Sequence, residues 1–103
     1  MANRHRGEVE AILDGRPRTL CLTLGALAEL EAALAAGDLM GLARRFGEGR
    51  LTAGDAIRVI GVGLRGAGND IDDASVARMQ AEGGAAGFVA IVAELLAATF
   101  GGT

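Results

Sequence analysis

The sequence predicts an α+β domain, mostly helical, with an N-terminal β-hairpin packed on about five short helices. Three observations lead there. Apolar residues alternate with polar ones on both sides of an Asp14-Gly15 pair. From Leu24 onward the apolar residues recur at helical spacing instead. Glycines at Gly37, Gly47, Gly49, Gly66, Gly68, Gly83 and Gly84 then cut the helical portion into segments.

The hairpin is predicted at Glu8–Leu13 and Arg18–Leu22. Asp14-Gly15 suits a two-residue type I′ turn, whose central residues both need φ > 0. That turn sets Leu13 opposite Arg16, Ile12 opposite Pro17, Ala11 opposite Arg18, Glu10 opposite Thr19 and Val9 opposite Leu20. Val9, Ala11, Leu13, Leu20 and Leu22 then share one apolar face. Glu8, Glu10, Thr19 and Cys21 share the other. Pro17 falls at a non-hydrogen-bonded pair, where it owes its partner no donor, so its outer side should be an edge. A two-stranded hairpin is marginal alone, so its apolar face must be covered.

A first helix is predicted over 24–36. Thr23 caps it and Leu24, Leu27, Leu30 and Leu34 form its inner stripe. Gly37 stops it and Asp38 opens a second helix, 39–47, with Leu39, Leu42, Ala43 and Phe46 at i, i+3, i+4 and i+7. Thr52 opens a third, 53–66, with Asp55 completing a variant capping box and Ile57, Ile60, Gly61 and Leu64 facing inward. Gly61 and Gly63 each cost a helix roughly 1 kcal/mol against Ala, so another element should approach closely there. Ile71, Asp72 and Val76 read as staple, cap and staple partner of a fourth helix, 73–82.

The last helix, 85–100, carries two adjacent apolar rows. One is Phe88, Val92, Leu95 and Thr99; the other is Val89, Ala93, Leu96 and Phe100. Gly87, Ala90, Glu94 and Ala97 hold the remaining face. A helix apolar nearly all round is buried in its own core or against another chain. Val89, Leu96 and Phe100 are therefore the candidate partner-binding residues, the partner being a second copy or another protein.

The chain has 103 residues, which bounds it to one domain. Residues 1–6 are expected to be a mobile tail and 7–103 a single α+β domain. The hydrophobic half of the composition contains no Trp or Tyr and three Phe, so the core must be built of Leu, Val, Ile and Ala. A net charge of −3 argues against nucleic acid as a partner. A single Cys and no CxxC exclude an intrachain disulfide or zinc knuckle. No signal peptide is visible, and the apolar run 85–100 is too short to span a bilayer. The expected location is the cytoplasm or the particle described below, with no membrane contact.

No motif carries chemistry. Gly61-Val62-Gly63-Leu64-Arg65-Gly66 has the letters of a dinucleotide fingerprint, but a helical pattern precedes it where a strand is needed. Asp70, Asp72 and Asp73 begin like a calcium loop, but Ser75 and Ala81 stand where Gly and Glu are required. They read better as charges at a helix N-terminus. His5 has no nucleophile set near it. Cys21 reads as a small half-buried strand residue. Arg4, Arg6, Arg16 and Arg18 read as a solvated patch. No catalytic residue, cofactor, metal or small-molecule substrate is expected; the chain reads as a non-enzyme.

Asn3-Arg4, Arg6-Gly7-Glu8-Val9, Leu13-Asp14-Gly15 and the run Arg18-Thr19-Leu20-Cys21-Leu22-Thr23-Leu24-Gly25-Ala26-Leu27-Ala28-Glu29-Leu30-Glu31 carry a family resemblance. So do Leu64-Arg65-Gly66-Ala67-Gly68 and Met79-Gln80-Ala81-Glu82-Gly83-Gly84-Ala85. Together they resemble the small tail protein of gene transfer agents, the phage-like particles of alphaproteobacteria. That family is labelled both tail tube protein and tail assembly chaperone. The resemblance implies a role in tail morphogenesis, with other tail proteins as partners and no catalytic residues. A chaperone would keep the tape-measure protein soluble until tube subunits polymerise around it. A tube subunit would supply several long strands to a ring of sheet. One short hairpin among helices favours the chaperone, with a structural, tube-associated role as the alternative. Self-association and contact with the tube protein are further expectations.

Overall fold

A computed structural model describes residues 6–33 and 39–100. Its element order is β1 (Glu8–Leu13), β2 (Arg16–Cys21), α1 (Leu24–Ala33), α2 (Leu39–Gly47), α3 (Ala53–Gly66), α4 (Asp73–Val76) and α5 (Gly84–Phe100). This is the expected α+β, mostly helical architecture with an N-terminal hairpin. The expectations for residues 1–5, for Leu34, and for Gly37 and Asp38 lie outside the described residues.

β1 and β2 pair antiparallel in the predicted register, from Leu13 opposite Arg16 to Glu8 opposite Cys21. Asp14 and Gly15 take φ of 54° and 74°, the two positive values that a type I′ turn requires. β2 begins at Arg16 and not at Arg18, because Pro17 sits in the ladder at a pair that asks nothing of its nitrogen. The apolar face is buried at Val9, Ala11, Leu13 and Leu20, and Leu22 is buried just beyond β2. Arg18, opposite Ala11, shares that face. It is half-buried, and its Nε is shielded with no hydrogen-bond partner among the described residues. The expectation of a solvated basic patch therefore fails at Arg18; Arg6 and Arg16 are exposed.

The buried helix at the centre is α3. From Val59 to Leu64 every residue is buried, so the expected one-sided stripe widens to the full circumference. It packs against β2, α1, α4 and α5. Its glycines explain how. A Cβ at Gly63 would lie 3.1 Å from a methyl of Leu95 on α5 and 3.4 Å from Leu20 on β2. A Cβ at Gly61 would strike the Asp73 carboxylate. The anticipated close approach is real, and it outweighs the propensity cost. Thr52 and Asp55 form the capping box: Asp55 N donates to Thr52 Oγ1 at 3.0 Å and Thr52 N to Asp55 Oδ2 at 3.3 Å. The same carboxylate accepts from Arg45 Nε at 3.3 Å and Nη2 at 3.2 Å, which ties α2 to α3. At the far end Gly68 N donates to the Arg65 carbonyl and Asn69 N to the Leu64 carbonyl, with Gly68 at φ 96°. This pair of bonds is a Schellman stop.

Two helical expectations need correction. In α1 the inner face is Ala26 and Leu30, with Leu27 half-buried, while Leu24 is 84% exposed. Thr23 is the cap, accepting from Ala26 N at 3.1 Å, so Leu24 opens the first turn outside the packed stripe. The fourth helix is a single turn, Asp73–Val76, and not 73–82. The chain leaves it to meet the hairpin. Asp14 N donates to the Gln80 carbonyl at 2.8 Å, Gln80 N to Asp14 Oδ1 at 2.9 Å, and Ala81 bridges to Leu13. Those bonds replace the ones a longer helix would make. Asp72 caps α4 as expected, accepting from Ser75 N at 2.8 Å. That bond holds its carboxyl below the ordinary 3.8.

Candidate interaction surface

α5 starts at Gly84 with φ 64° and runs 17 residues along the edge of the domain. Ile91, Val92, Leu95 and Leu96 are buried, with Phe88, Ala98 and Thr99 half-buried beside them. This inner side meets β1 and α3. Ile91 belonged to neither predicted row. Its recurrence with Leu95 and Ala98 at i, i+4 and i+7 is the signal that would have placed it.

The outward side is also apolar. Ala86, Val89, Ala90 and Phe100 are exposed, and Ala93 and Ala97 are half-buried. Val89 retains 48% of its accessible surface and Phe100 51%. Glu94 is the only charged residue on the helix. The three candidate residues are thus separated: Val89 and Phe100 reach solvent, while Leu96 closes the margin of the core.

Beside the N-terminal half of α5 lies an apolar groove of about 370 Å³. Leu51, Thr52, Ala53, Ala56, Ile57 and Ile60 form one wall, Val76, Ala77 and Met79 the floor of a second, and Ala85, Phe88 and Val89 the third. The α4 segment makes this groove by turning away after Val76 toward the hairpin. Thr52 is the only lining residue with a polar side chain, and its hydroxyl is engaged by Asp55 N. Apart from that hydroxyl, no titratable or nucleophilic side chain lines the groove. Its lining suits an apolar side chain.

The residues weighed for chemistry lie elsewhere. Gly61 to Gly66 are inside α3, with no strand before them. Asp73 is engaged by Arg65 Nη1 at 3.0 Å, which also donates to the Ile71 carbonyl at 2.9 Å. Arg65 reaches Glu29 as well, so one guanidinium holds α1, α3 and the start of α4; the Glu29 bonds push its pKa upward. Cys21 Sγ faces the Arg6 carbonyl at 3.7 Å, and burial raises its thiol pKa. Among the described residues no three His, Cys, Asp or Glu side chains converge as metal ligands would. No helix of these residues is long and apolar enough to cross a membrane.

Comparison with curated proteins and with solved structures gave no significant match. A family model described as phage tail tube protein, GTA-gp10, matches residues 6–102, which spans the hairpin, the groove and all of α5. The chain belongs to this GTA-gp10 family of phage-like tail proteins of gene transfer agents.

Proposed function

We propose that the chain is a tail assembly chaperone that acts in the cytoplasm on the tape-measure protein, and that it has no catalytic role. The observation that carries this reading is the sheet. Its two strands of six residues are the only ones among the described residues. Each outer edge is met at one point inside the domain, β2 at the Thr19 carbonyl by Asn69 and β1 at its tip by Ala81. A ring-forming tube subunit needs long strands with edges open to its neighbours. A helical domain with an apolar groove suits transient capture of apolar helical segments.

The second reading is a structural, tube-associated component. The family's description as a tail tube protein favours it. Co-expression with the tape-measure protein separates the two. A chaperone keeps the tape measure in the soluble fraction and co-purifies with it before tube subunits are added. A tape measure that precipitates equally with and without this chain contradicts the chaperone reading.

A further inference from the structure

We infer that Asp14-Gly15 is the site of spontaneous aspartate isomerisation in this chain, and that the clasp between Asp14 and Gln80 is the gate that restrains it. The inference is independent of either reading of function. Asp14 is the only aspartate or asparagine followed by glycine; the others precede Arg, Leu, Ala, Ile or Asp. A side chain on the following residue hinders attack by its amide nitrogen, and glycine has none. Both residues are exposed, and no heavy atom lies within 4 Å of the point where a Cβ on Gly15 would stand. The reaction needs only the chain and water. The Gly15 nitrogen bonds to Cγ of the protonated Asp14 carboxyl, and the N–H proton leaves with the carboxyl hydroxyl as water. The five-membered succinimide so formed then takes water back. Opening at Cγ restores aspartate. Opening at the Asp14 main-chain carbonyl leaves Gly15 bonded to Cγ, an isoaspartate with one extra carbon in the backbone.

The fold holds both torsions that the attack must change. Ring closure brings the Gly15 nitrogen over Cβ, at an Asp14 ψ of about −120°, whereas a type I′ turn sets that ψ at about +30°. The φ values of 54° and 74° at Asp14 and Gly15 are those of the type I′ turn. Closure therefore asks for a rotation of about 150° about the Cα–C bond, which swings Gly15 out of the turn. That motion parts Leu13 from Arg16, the pair beside the turn. The side chain is held as well. Gln80 N donates to Asp14 Oδ1 at 2.9 Å, while Asp14 N donates to the Gln80 carbonyl at 2.8 Å. Cγ cannot turn toward Gly15 until Gln80 lets go. Isomerisation thus proceeds from the unclasped state, at a rate scaled by its population. The extra backbone carbon then spoils the match of a two-residue loop to its strands, so the clasp does not re-form. The damage reaches the groove, because Ala77 and Met79 of its wall lie in the segment that the clasp holds.

The test ages the full chain at neutral pH and physiological temperature in water enriched in heavy oxygen, once in buffer and once in urea. Isoaspartate is read by mass spectrometry of the tryptic peptide Gly7–Arg18. The modified peptide carries one heavy oxygen and resists a protease that cuts before aspartate. In urea the product should appear at Asp14 ahead of every other aspartate and asparagine. In buffer it should form at least about tenfold more slowly, the restraint expected of a clasp of two hydrogen bonds on a closed turn. Gln80→Pro deletes the N–H that holds Oδ1 and should speed the reaction in buffer about threefold or more. Hydrogen exchange needs no variant and covers the case in which Gln80→Pro unfolds. The protection of the Asp14 amide in the unaltered chain should be of the same order as the ratio of the two isomerisation rates. Equal rates in buffer and urea overturn the gate, as does a folded Gln80→Pro chain that ages no faster than the original. Isoaspartate that forms in urea elsewhere than at Asp14, or not at all, overturns the site.

Discussion

Asn69 closes the outer edge of the sheet onto Thr19: its Nδ2 donates to the Thr19 carbonyl at 2.8 Å and to the Leu64 carbonyl at 3.1 Å. Thr19 sits at a non-hydrogen-bonded pair opposite Glu10, so its carbonyl points away from β1. One amide thereby satisfies the strand edge and the last turn of α3. The Thr19 carbonyl is thereby taken at the middle of the outer edge.

Asn69→Ala should cost about 1–3 kcal/mol, because the partly buried Thr19 carbonyl loses its donor. Asn69→Asp should cost more, since a carboxylate would face two carbonyl oxygens. Urea denaturation of both variants checks the order. Equal stability in all three proteins would show that water replaces the amide without loss.

Gly15→Val should destabilise the hairpin by about 1 kcal/mol or more, because a β-branched residue is strained at the 74° φ of this position. No heavy atom comes within 4 Å of a Cβ there, so the loss is backbone strain and not a clash. The measurement is the melting temperature, with Gly15→Asn as the milder comparison.

Cys21 should alkylate more slowly in the folded chain than in urea at pH 8. Burial, then the nearby Glu8, raise its pKa above the ordinary 9.0, against a smaller opposing effect of Arg6. The sign follows for stability as well. Well below pH 9 the thiol is protonated in both states and contributes nothing to the pH dependence. Above it the unfolded thiol ionises first, so stability declines as pH rises toward the folded value. Alkylation as fast in buffer as in urea would contradict the burial.

The hairpin was legible in the sequence down to its register, because an Asp-Gly turn and a period of two fix every partner at once. The cap at Thr52, the cap at Asp72 and the apolar face of β1 were legible for the same reason: each is a local relation. What escaped was set by distant contacts. α4 stops at Val76 because Gln80 and Ala81 pair with the hairpin tip, more than 60 residues earlier. Leu24 repeats at helical spacing yet stays exposed, because the element packed on α1 is α3, and the buried face of α1 is Ala26 and Leu30. α3 was read as one-sided because its glycines conceal how many neighbours come close. On α5 the two apolar rows were visible, but only the packing against β1 and α3 shows that Leu96 belongs to the core and that Val89 and Phe100 remain outside.

Quantifying this chain in purified particles, against its level in producing cells, tests the central claim most directly. A tail assembly chaperone is required for particle yield and leaves before completion. Deletion should therefore abolish particles, while mass spectrometry of finished ones should find the chain absent or far below one copy per tube ring. A fixed stoichiometry of one or more copies per ring in finished particles would contradict the chaperone account and establish the chain as part of the tail.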